Sequence, residues 1–479
     1  MFSVNPLNRL DVPARMNRLG PALAALCLAV FLTGGCAHYP VNPPLEQYSP
    51  DTGYRAKNSG IPGNSEELLL LLTFSGGGTR AAAFSYGVLE ELARTEISIN
   101  GQNRRLLDEI DMISGVSGGS FTAAYFGLFG DRIFKDYEER FLRKDIQGEL
   151  LVRKYLFIPN WFRLWSPNFD ASDMAAEMYD KDLFEGGTFG DITARGAPQI
   201  IINATDMTEG TSFPFIQDYF DFICSDLTDY PVARAAAASS AVPIVLTPIT
   251  LKNHRNEIDC GYMPKGLDAA LKEHDKSRRY YQALHVSPYM LEPDQKRYVH
   301  LVDGGIADNL GLRIAIDRVT QMDSLWATLK HSETAMNTTK IVFIVVNAET
   351  GVDKSPDLKE SPAGLFTVLG SVTSTPLSRF NFETIELLKS DFKKWGEDIR
   401  TERCSDPDYT GDPDKCDDME FYLVEVDFND IPDKKERKYF LELPTSFSLD
   451  DEQVDNLQEI AGRLMKQSEE YQKLLRDVK

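Results

Sequence analysis

Histidine and positive charge are both scarce in this sequence. Its 479 residues include 6 histidines, and 51 lysines and arginines stand against 73 aspartates and glutamates, for a formal net charge of −22. Nucleic-acid binding needs a basic surface, so this composition argues against a nucleic-acid partner. It argues equally against nonspecific adhesion to anionic lipid.

Several motifs of other protein classes are also absent. Beyond residue 35 no run approaches the roughly 18 apolar residues of a membrane span, and no cysteine spacing resembles a zinc site. The glycines at residues 76–78 fit neither the G-x-x-x-x-G-K-[ST] phosphate loop nor the G-x-G-x-x-G dinucleotide fingerprint. Since 42% of the residues are hydrophobic, the chain can bury a large core, and we expect a globular protein.

The amino terminus has the pattern of a targeting segment. Three arginines precede an apolar run at residues 21–32, which ends in small residues before Cys36. This order predicts a signal peptide over residues 1–35. The end of the run resembles a bacterial lipobox, in which the cysteine becomes the lipidated first residue of the mature protein. Thr33 stands where such motifs usually have leucine, so an ordinary cleaved signal with an incidental cysteine remains the alternative.

A lipidated Cys36 would anchor the protein to the membrane of a bacterial cell envelope. The residue after it is Ala37 rather than aspartate. In lipoproteins this points to the outer membrane, with the protein facing the periplasm or the cell surface. Residues 36–65 lack hydrophobic periodicity beyond the cysteine, and we expect them to form the lipidated start of the chain and a flexible tether.

Four further cysteines follow the tether, at Cys224, Cys260, Cys404 and Cys416. In an exported chain they are expected to form disulfides, and four cysteines allow three connectivities. We favour a bond between Cys404 and Cys416, which would close the loop between them, and the sequence leaves the pairing open.

Apolar runs of strand length alternate with helical stretches along the rest of the chain. This alternation predicts an α/β fold with a mainly parallel sheet of doubly wound type. The predicted strands lie at residues 67–74, 110–113, 199–203, 298–302, 341–347 and 421–428.

Two segments are predicted to be insertions near the edge of the sheet, at about residues 130–190 and 251–297. The first contains an aromatic run at residues 155–165, which could be a lid, a lipid-contacting surface or simply part of a core. Residues 351–479 are predicted to be a C-terminal extension that packs on the rest. We expect its last helix to begin at Ser448, in a capping box with Asp451.

A G-x-S-x-G sequence, Gly115 to Gly119, directly follows the apolar run at residues 110–113. A helix-compatible stretch comes after it. A strand, a tight glycine turn and a helix form a nucleophile elbow, and this context would make Ser117 a nucleophile. The motif alone occurs often by chance, so it needs support from other residues.

A serine nucleophile needs a base within hydrogen-bond reach. Five histidines follow Ser117, and none lies in the turn expected at a strand end, although a histidine triad stays possible. Asp303 is the better candidate, because it directly follows the predicted strand at residues 298–302. A strand's carboxyl end is where open α/β sheets present such groups. The alternative is that Asp303 only forms a turn with Gly304. The histidines are His254, His274, His285, His300 and His331.

Acyl transfer also requires donors for an oxyanion. The segment Gly76, Gly77 and Gly78 joins a predicted strand to a predicted helix. Its backbone N–H groups would be unobstructed at a helix amino end, which favours negative charge. Arg80 could support this loop, meet a phosphate head group, or be a purely structural arginine.

These three segments, in this order, resemble the motifs of the patatin-like phospholipase family. The family has a G-G-G-x-R/K loop, then G-x-S-x-G, then D-G-G or D-G-A. Residues 76–80, 115–119 and 303–305 match these motifs, and residues 202–206 and 238–248 look like further family blocks.

The resemblance covers about residues 66–350, which we take as the catalytic domain. It implies a patatin-like three-layer sandwich with a mainly parallel central sheet, here with helical insertions and a helical C-terminal extension. Ala81 stands where the family often has glycine. The insertion at 251–297 lengthens the approach to Asp303, so the family's lid and substrate pocket cannot be carried over.

By motif position, the resemblance implies a Ser117–Asp303 catalytic dyad. It also implies an oxyanion hole of Gly76, Gly77 and Gly78, and no metal or cofactor. The expected activity is that of a serine acyl-ester hydrolase acting on phospholipids or lysophospholipids. A carboxylesterase on smaller esters and a non-catalytic envelope-assembly lipoprotein are the alternatives. The expected partners are the lipid substrate and the membrane, reached through the N-terminal anchor, and the sequence indicates no particular protein partner.

Overall fold

The computed structural model describes residues 38–99, 101–155, 158–243, 246–273, 275–332, 336–351 and 365–478. The predicted signal peptide, Cys36 and His274 therefore lie outside the described residues. None of the helices in these ranges is long and apolar enough to cross a bilayer.

The predicted tether is described from residue 38 onward, and it packs on the rest of the chain: Asn42 and Tyr54 are buried, and the N–H of Leu45 donates to the carbonyl of Cys224 at 2.8 Å. These residues do not form the flexible tether that the sequence predicted.

One eight-stranded sheet forms the centre of the protein, and two further strands make a small antiparallel hairpin, β2 with β3. The strands are β1 Leu68–Phe74, β2 Glu96–Ile99, β3 Gln102–Arg105, β4 Ile110–Val116, β5 Gln199–Asp206, β6 Ser212–Pro214, β7 Ile249–Lys252, β8 Tyr298–Asp303, β9 Lys340–Asn347 and β10 Glu420–Asp427. The main sheet has the order β10-β9-β1-β4-β5-β8-β7, and β6 pairs with β5.

Helices cover both faces of this sheet. They are α1 Gly78–Arg94, α2 Gly118–Phe129, α3 Ile133–Tyr137, α4 Ile146–Tyr155, α5 Ile158–Arg163, α6 Ala171–Tyr179, α7 Phe189–Ala194, α8 Gln217–Phe220, α9 Val232–Ser239, α10 Leu267–Ala270, α11 Arg278–Leu291, α12 Gly305–Asp308, α13 Arg313–Gln321, α14 Leu325–Ser332, α15 Leu365–Glu402, α16 Lys434–Leu441, α17 Asp451–Gln467 and α18 Glu469–Asp477.

The strands alternate their side chains between two cores, as the period of two in a β-strand requires. Leu70 and Leu72 of β1 belong to the core formed with α1, α2 and α17. Leu71 points to the opposite core, formed with α13, α14 and the second half of α15. Strands buried on both faces are the reason that the sequence shows continuous apolar runs. The predicted three-layer α/β sandwich is confirmed.

The sheet is parallel from β10 through β5, but β8 and its neighbours differ. β8 runs antiparallel to both β5 and β7, and β6 is also antiparallel to β5. Asp303 is the last residue of β8, so it lies at the carboxyl end of a strand as the sequence suggested, but this strand is antiparallel to its neighbours. Asp303 pairs with Ala204, next to Asn203, and Asn203 pairs with Val116. The last residue of β8 therefore lies level with the last residue of β4, directly before Ser117.

The C-terminal part is more than a helical extension. β10 pairs in parallel with β9 along its whole length and forms the edge of the main sheet. α17 packs on α1, on the opposite side from α13. The boundary predicted at residue 350 therefore falls between two strands of the same sheet, β9 and β10. The cap of α17 also differs from the prediction, because Asp450 and Gln453 form the capping box and Ser448 lies upstream.

The two predicted insertions consist mainly of short helices. The first contains α3 to α6, and its aromatic run is not simply core, since Trp161 is 48% exposed and Trp165 78% exposed. The second contains α10 and α11 and leads into β8.

Two disulfides join the four remaining cysteines. One links Cys404 with Cys416, as favoured from the sequence, and the other links Cys224 with Cys260.

The packing of α1 on α17 gives a direct test of this fold. A Cβ at Gly87 of α1 would lie 2.5 Å from the carbonyl oxygen of Gln458 in α17. We expect Gly87→Ala to push the helices apart and to lower the free energy of unfolding by about 1–3 kcal/mol, although alanine favours a helix. Denaturant unfolding followed by circular dichroism would measure this change.

Gly462→Ala is the matched control on the facing helix. A Cβ there would first meet the flexible carboxylate end of Glu91, at 3.3 Å. This substitution should leave stability unchanged or raise it by up to about 1 kcal/mol through helix propensity. Equal effects of the two alanines would contradict the packing of α1 on α17.

Candidate active site

Ser117 occupies the turn between β4 and α2, as the motif predicts. Its backbone has φ 47° and ψ −120°, a conformation that L side chains rarely adopt, and its side chain is buried. Such a residue costs of order 1–3 kcal/mol and persists only where the surrounding structure enforces it. The strand, the turn and the helix hold the Ser117 hydroxyl at one fixed place beside the glycine loop.

The turn after Ser117 lies directly against the glycine loop. A Cβ at Gly118 would come within 1.9 Å of the carbonyl oxygen of Gly78. No side chain fits there, so the two backbones can approach only because residue 118 is glycine. A Cβ at Gly78 would meet the carbonyl oxygen of Ser446 instead, so this glycine allows a second close approach. These two contacts explain why both motifs are rich in glycine.

The end of α9 holds both sides of the site. The Ser117 N–H donates to the Ser239 hydroxyl at 2.8 Å, and that hydroxyl donates to the carbonyl of Asn203 at 2.6 Å. The Ser239 carbonyl accepts the N–H of Gly304 at 3.1 Å, and the N–H of Asp303 donates to the carbonyl of Ala241 at 3.0 Å. One short segment therefore fixes the backbone of Ser117 relative to that of Asp303.

The structure brings the Asp303 carboxylate to the Ser117 hydroxyl. Asp303 is 9% exposed, and its Oδ1 accepts the N–H of Gly305 at 2.8 Å. Burial raises the pKa of Asp303 to about 6, although hydrogen bonds from Gly305 and from the Ser117 hydroxyl lower it. A carboxylate with a raised pKa is a stronger base than one in water, so it is better able to accept the serine proton.

The described histidines make their contacts elsewhere. His254 is buried, and its Nε2 lies 2.8 Å from the carbonyl oxygen of Asn42. His300 contacts Thr250 and His285 contacts Glu209, while His331 is exposed. Within the described residues, the titratable side chain that contacts the Ser117 hydroxyl is the carboxylate of Asp303.

The glycine loop differs from the prediction at its first residue. The N–H of Gly76 donates to the carbonyl of Asn309 at 3.0 Å, so it is not free to bind an oxyanion. Within the described ranges, the N–H groups of Gly77 and Gly78 have no hydrogen-bond partner. Gly78 begins α1, where unsatisfied N–H groups and the helix dipole favour negative charge. Gly77 and Gly78 are thus the available donors.

The buried side chain of Arg80 supports the glycine loop from the interior of the protein. It is 2% exposed, and its guanidinium donates to the carbonyls of Ala348 and Leu443, both at 2.9 Å. Burial lowers the pKa of Arg80 to about 10, which still leaves it charged at neutral pH. A buried guanidinium held by two carbonyls is placed to fix the loop rather than to meet a phosphate head group.

Three residues of the site were not singled out from the sequence. Ser239 holds the backbone of Ser117, Asn309 accepts the N–H of Gly76, and the carbonyl of Ser446 accepts the N–H of Thr79 at 2.9 Å. Only Ser239 had a signal, since it lies in a block that resembles the family. Throughout the described ranges, no cluster of three or more His, Cys, Asp or Glu side chains is arranged to hold a metal ion.

Comparison with known proteins agrees with the three motifs. The model of the patatin-like phospholipase family matches residues 72–316, just over half of the chain. The uncharacterized protein YqhO of Bacillus subtilis (strain 168) is 29% identical over 191 residues, which cover 37% of this chain and 57% of that protein. Human GIVD cytosolic phospholipase A2 aligns at a TM-score of 0.45 and 13% identity, over 86% of this chain and 62% of that one. The chain belongs to the patatin-like phospholipase family.

Proposed function

We propose that this protein is a serine hydrolase of lipid acyl esters, of the phospholipase A or lysophospholipase type. The observation that carries the proposal is the hydrogen bond between the Ser117 hydroxyl and the buried carboxylate of Asp303. A strained turn that presents a serine to a base is a costly arrangement, and membership of the family supports the same chemistry.

In the proposed reaction the Ser117 oxygen attacks the carbonyl carbon of the ester while Asp303 accepts the serine proton. Collapse of the tetrahedral intermediate breaks the ester bond, and the Asp303 proton passes to the leaving alcohol oxygen. Water then attacks the acyl-enzyme, again with Asp303 as the base. Collapse of this second intermediate breaks the bond between the acyl carbon and the Ser117 oxygen, which takes the proton back from Asp303, and a fatty acid leaves. Every proton transfer in this sequence uses the same carboxyl group.

The negative charge of the intermediate would develop on the carbonyl oxygen of the substrate. The N–H groups of Gly77 and Gly78 are the proposed donors, and Gly76 acts through its bond to Asn309 as a support for the loop. Removal of one such donor in other enzymes costs about 100-fold to 1000-fold in rate. Arg80 and Ser446 would contribute by holding these N–H groups in position.

We propose that the substrate is presented at a lipid surface and that the chain is tethered there. Lipidation of Cys36, outside the described residues, would place the protein in the bacterial envelope, at the outer membrane. The exposed Trp161 and Trp165 support contact with lipid, because tryptophan favours the interface between water and membrane.

The first test is hydrolysis of phosphatidylethanolamine vesicles in the presence of a chelator. We expect the wild-type protein to release fatty acid and Ser117→Ala to release none. Labelling of Ser117 by a fluorophosphonate probe without fatty-acid release would favour a carboxylesterase that acts on smaller esters. Absence of both release and labelling would refute the enzyme and favour a binding protein.

The strained turn predicts a difference between two inactive variants. Ser117→Gly should be more stable than Ser117→Ala by about 1 kcal/mol, because glycine adopts φ 47° without strain. Both substitutions remove the hydroxyl, so the comparison isolates the backbone. Denaturant midpoints measured side by side would decide, and a less stable glycine variant would contradict the conformation of the turn.

The raised pKa of Asp303 predicts the pH dependence of activity. The base must be ionised, so kcat/KM should rise with pH through about 6 and level off above that value. Below this pKa the rate should fall about tenfold for each pH unit. An unchanged rate down to pH 4 would exclude Asp303 as the base.

The same shift predicts a gain in stability when Asp303 is replaced. A folded-state pKa raised above the unfolded value means that ionisation of Asp303 destabilises the fold, and this cost is absent near pH 4 and complete above about pH 6. The free energy of unfolding of Asp303→Asn should therefore exceed that of the wild type by about 1–3 kcal/mol at pH 7.5. The difference should disappear on approach to pH 4. Ser117→Ala, which keeps the carboxylate, is the control.

Lipidation of Cys36 can be tested in cells by membrane fractionation and by labelling with palmitate. Wild-type protein should fractionate with membranes and incorporate labelled palmitate, whereas Cys36→Ser should lose the label. Ala37→Ser, which leaves Cys36 in place, serves as the control and should keep the label. Palmitate on Cys36→Ser would refute lipidation at this residue.

A further inference from the structure

A cavity of about 240 Å³ lies between the sheet and the helices α13, α14 and α15. Its walls are apolar, with Leu69, Met112 and Phe343 from the strands and Ala315 and Val319 from α13. An apolar cavity of about 150 Å³ is already large enough to stay dry and to take up benzene. The space is therefore sufficient for part of an acyl chain.

The cavity is separate from the site around Ser117. It lies near the beginnings of β1, β4 and β5, and Met112 precedes Ser117 by five residues, roughly 17 Å along an extended strand. Leu69 and Met112 belong to interior strands of the sheet, yet both are only partly buried. A fully packed core would have covered them, so their exposure is a consequence of the open space.

Cationic side chains line the same cavity toward solvent. Arg318 is 30% exposed and has one ionic contact, at 3.6 Å with Asp218, and no side-chain hydrogen bond within the described residues. Lys57 lines the cavity as well, and its ion pair with the largely exposed Asp51 is of a kind that contributes little. Arg55 is already held by Asp221 at 2.7 Å. Arg318 and Lys57 thus remain able to bind an anion.

Two carboxylates also line the wall, Asp218 and Asp111. Asp218 lies 3.5 Å from Arg55 and 3.6 Å from Arg318, so two guanidinium groups balance its charge. Burial raises the pKa of Asp111 to about 8, and its carboxyl oxygens accept the N–H of Leu70 at 2.7 Å and the Asn64 side chain at 2.8 Å. Asp111 thus has a structural role, and its raised pKa reduces the negative charge that it presents to the cavity. His331 is exposed overall, but partial desolvation at the cavity wall and the nearby Arg318 both lower its pKa, which favours the neutral side chain.

We propose that this cavity binds a single-chain anionic lipid, with its chain among the apolar residues and its head group at Arg318 and Lys57. Positive side chains at the opening of an apolar cavity are unusual on a chain with a formal net charge of −22. A guanidinium with unused donors can hold a carboxylate or a phosphate through two parallel hydrogen bonds. A fatty acid would also be a product of the hydrolysis proposed above, and only this link depends on that function.

Trp395 lines the cavity and provides a direct signal. Bromine atoms quench tryptophan fluorescence on contact, so we would titrate the full chain carrying Ser117→Ala with dibromostearic acid. The Ser117→Ala background excludes turnover, so the outcome is independent of the proposed hydrolysis. We expect saturable quenching that disappears in Trp395→Phe. Absence of such a Trp395-dependent signal would overturn the proposal.

Substitutions at Arg318 test the head-group end of the ligand, and substitutions in the apolar wall test the chain end. Arg318→Gln should weaken binding at least about tenfold, the loss expected for a hydrogen-bonded charge pair. Arg318→Lys should retain part of the affinity, and Arg297→Gln, at an exposed position outside the lining, should retain all of it. Ala315→Phe should fill the cavity and abolish quenching without a fall in thermal stability. Met112→Phe fills it from the opposite wall if the first variant does not fold.

The choice of lipid separates the two possible head groups. Tighter binding of dibromostearic acid would identify a free carboxylate, and tighter binding of a brominated lysophosphatidylglycerol would identify a phosphate. Both results support the site. Equal affinity for the uncharged methyl ester, or for Arg318→Gln, would overturn the assignment of an anionic ligand.

Discussion

Close contact between two backbones positions the candidate active site. The turn at Gly118 touches the turn at Gly78, and a single methyl group at Gly118 would separate them. This contact sets the distance between the Ser117 hydroxyl and the N–H groups of the glycine loop. The surrounding hydrogen bonds, from Ser239 on one side and Arg80 on the other, hold a geometry that the missing side chains make possible.

The buried carboxylate of Asp303 connects stability to chemistry. The low-polarity surroundings that make it a better base also penalise its charge in the folded state. The turn at Ser117 adds backbone strain at the same place. Both effects lower the stability of one small region, and the packing of the large sheet with its two cores compensates for this loss.

The sequence predicted what local patterns determine. The six long apolar runs became strands, and the glycine motifs marked the turns at both ends of the site. It could not predict features that depend on distant pairing. The antiparallel direction of β8, the bond between Gly76 and Asn309 and the support from Ser446 all join segments that are remote in sequence. The cap of α17 was misplaced because Ser448 and Asp450 both suit a helix start.

The bond between Arg80 and Leu443 spans 363 residues of chain. A growing polypeptide therefore exposes the serine turn and the glycine loop long before it can assemble them. A fragment that ends ahead of residue 443 would lack one of the two carbonyls that hold Arg80 and also the Ser446 carbonyl that accepts the N–H of Thr79. The glycine loop of such a fragment would lose two of its supports, although both of its sequence motifs would be present.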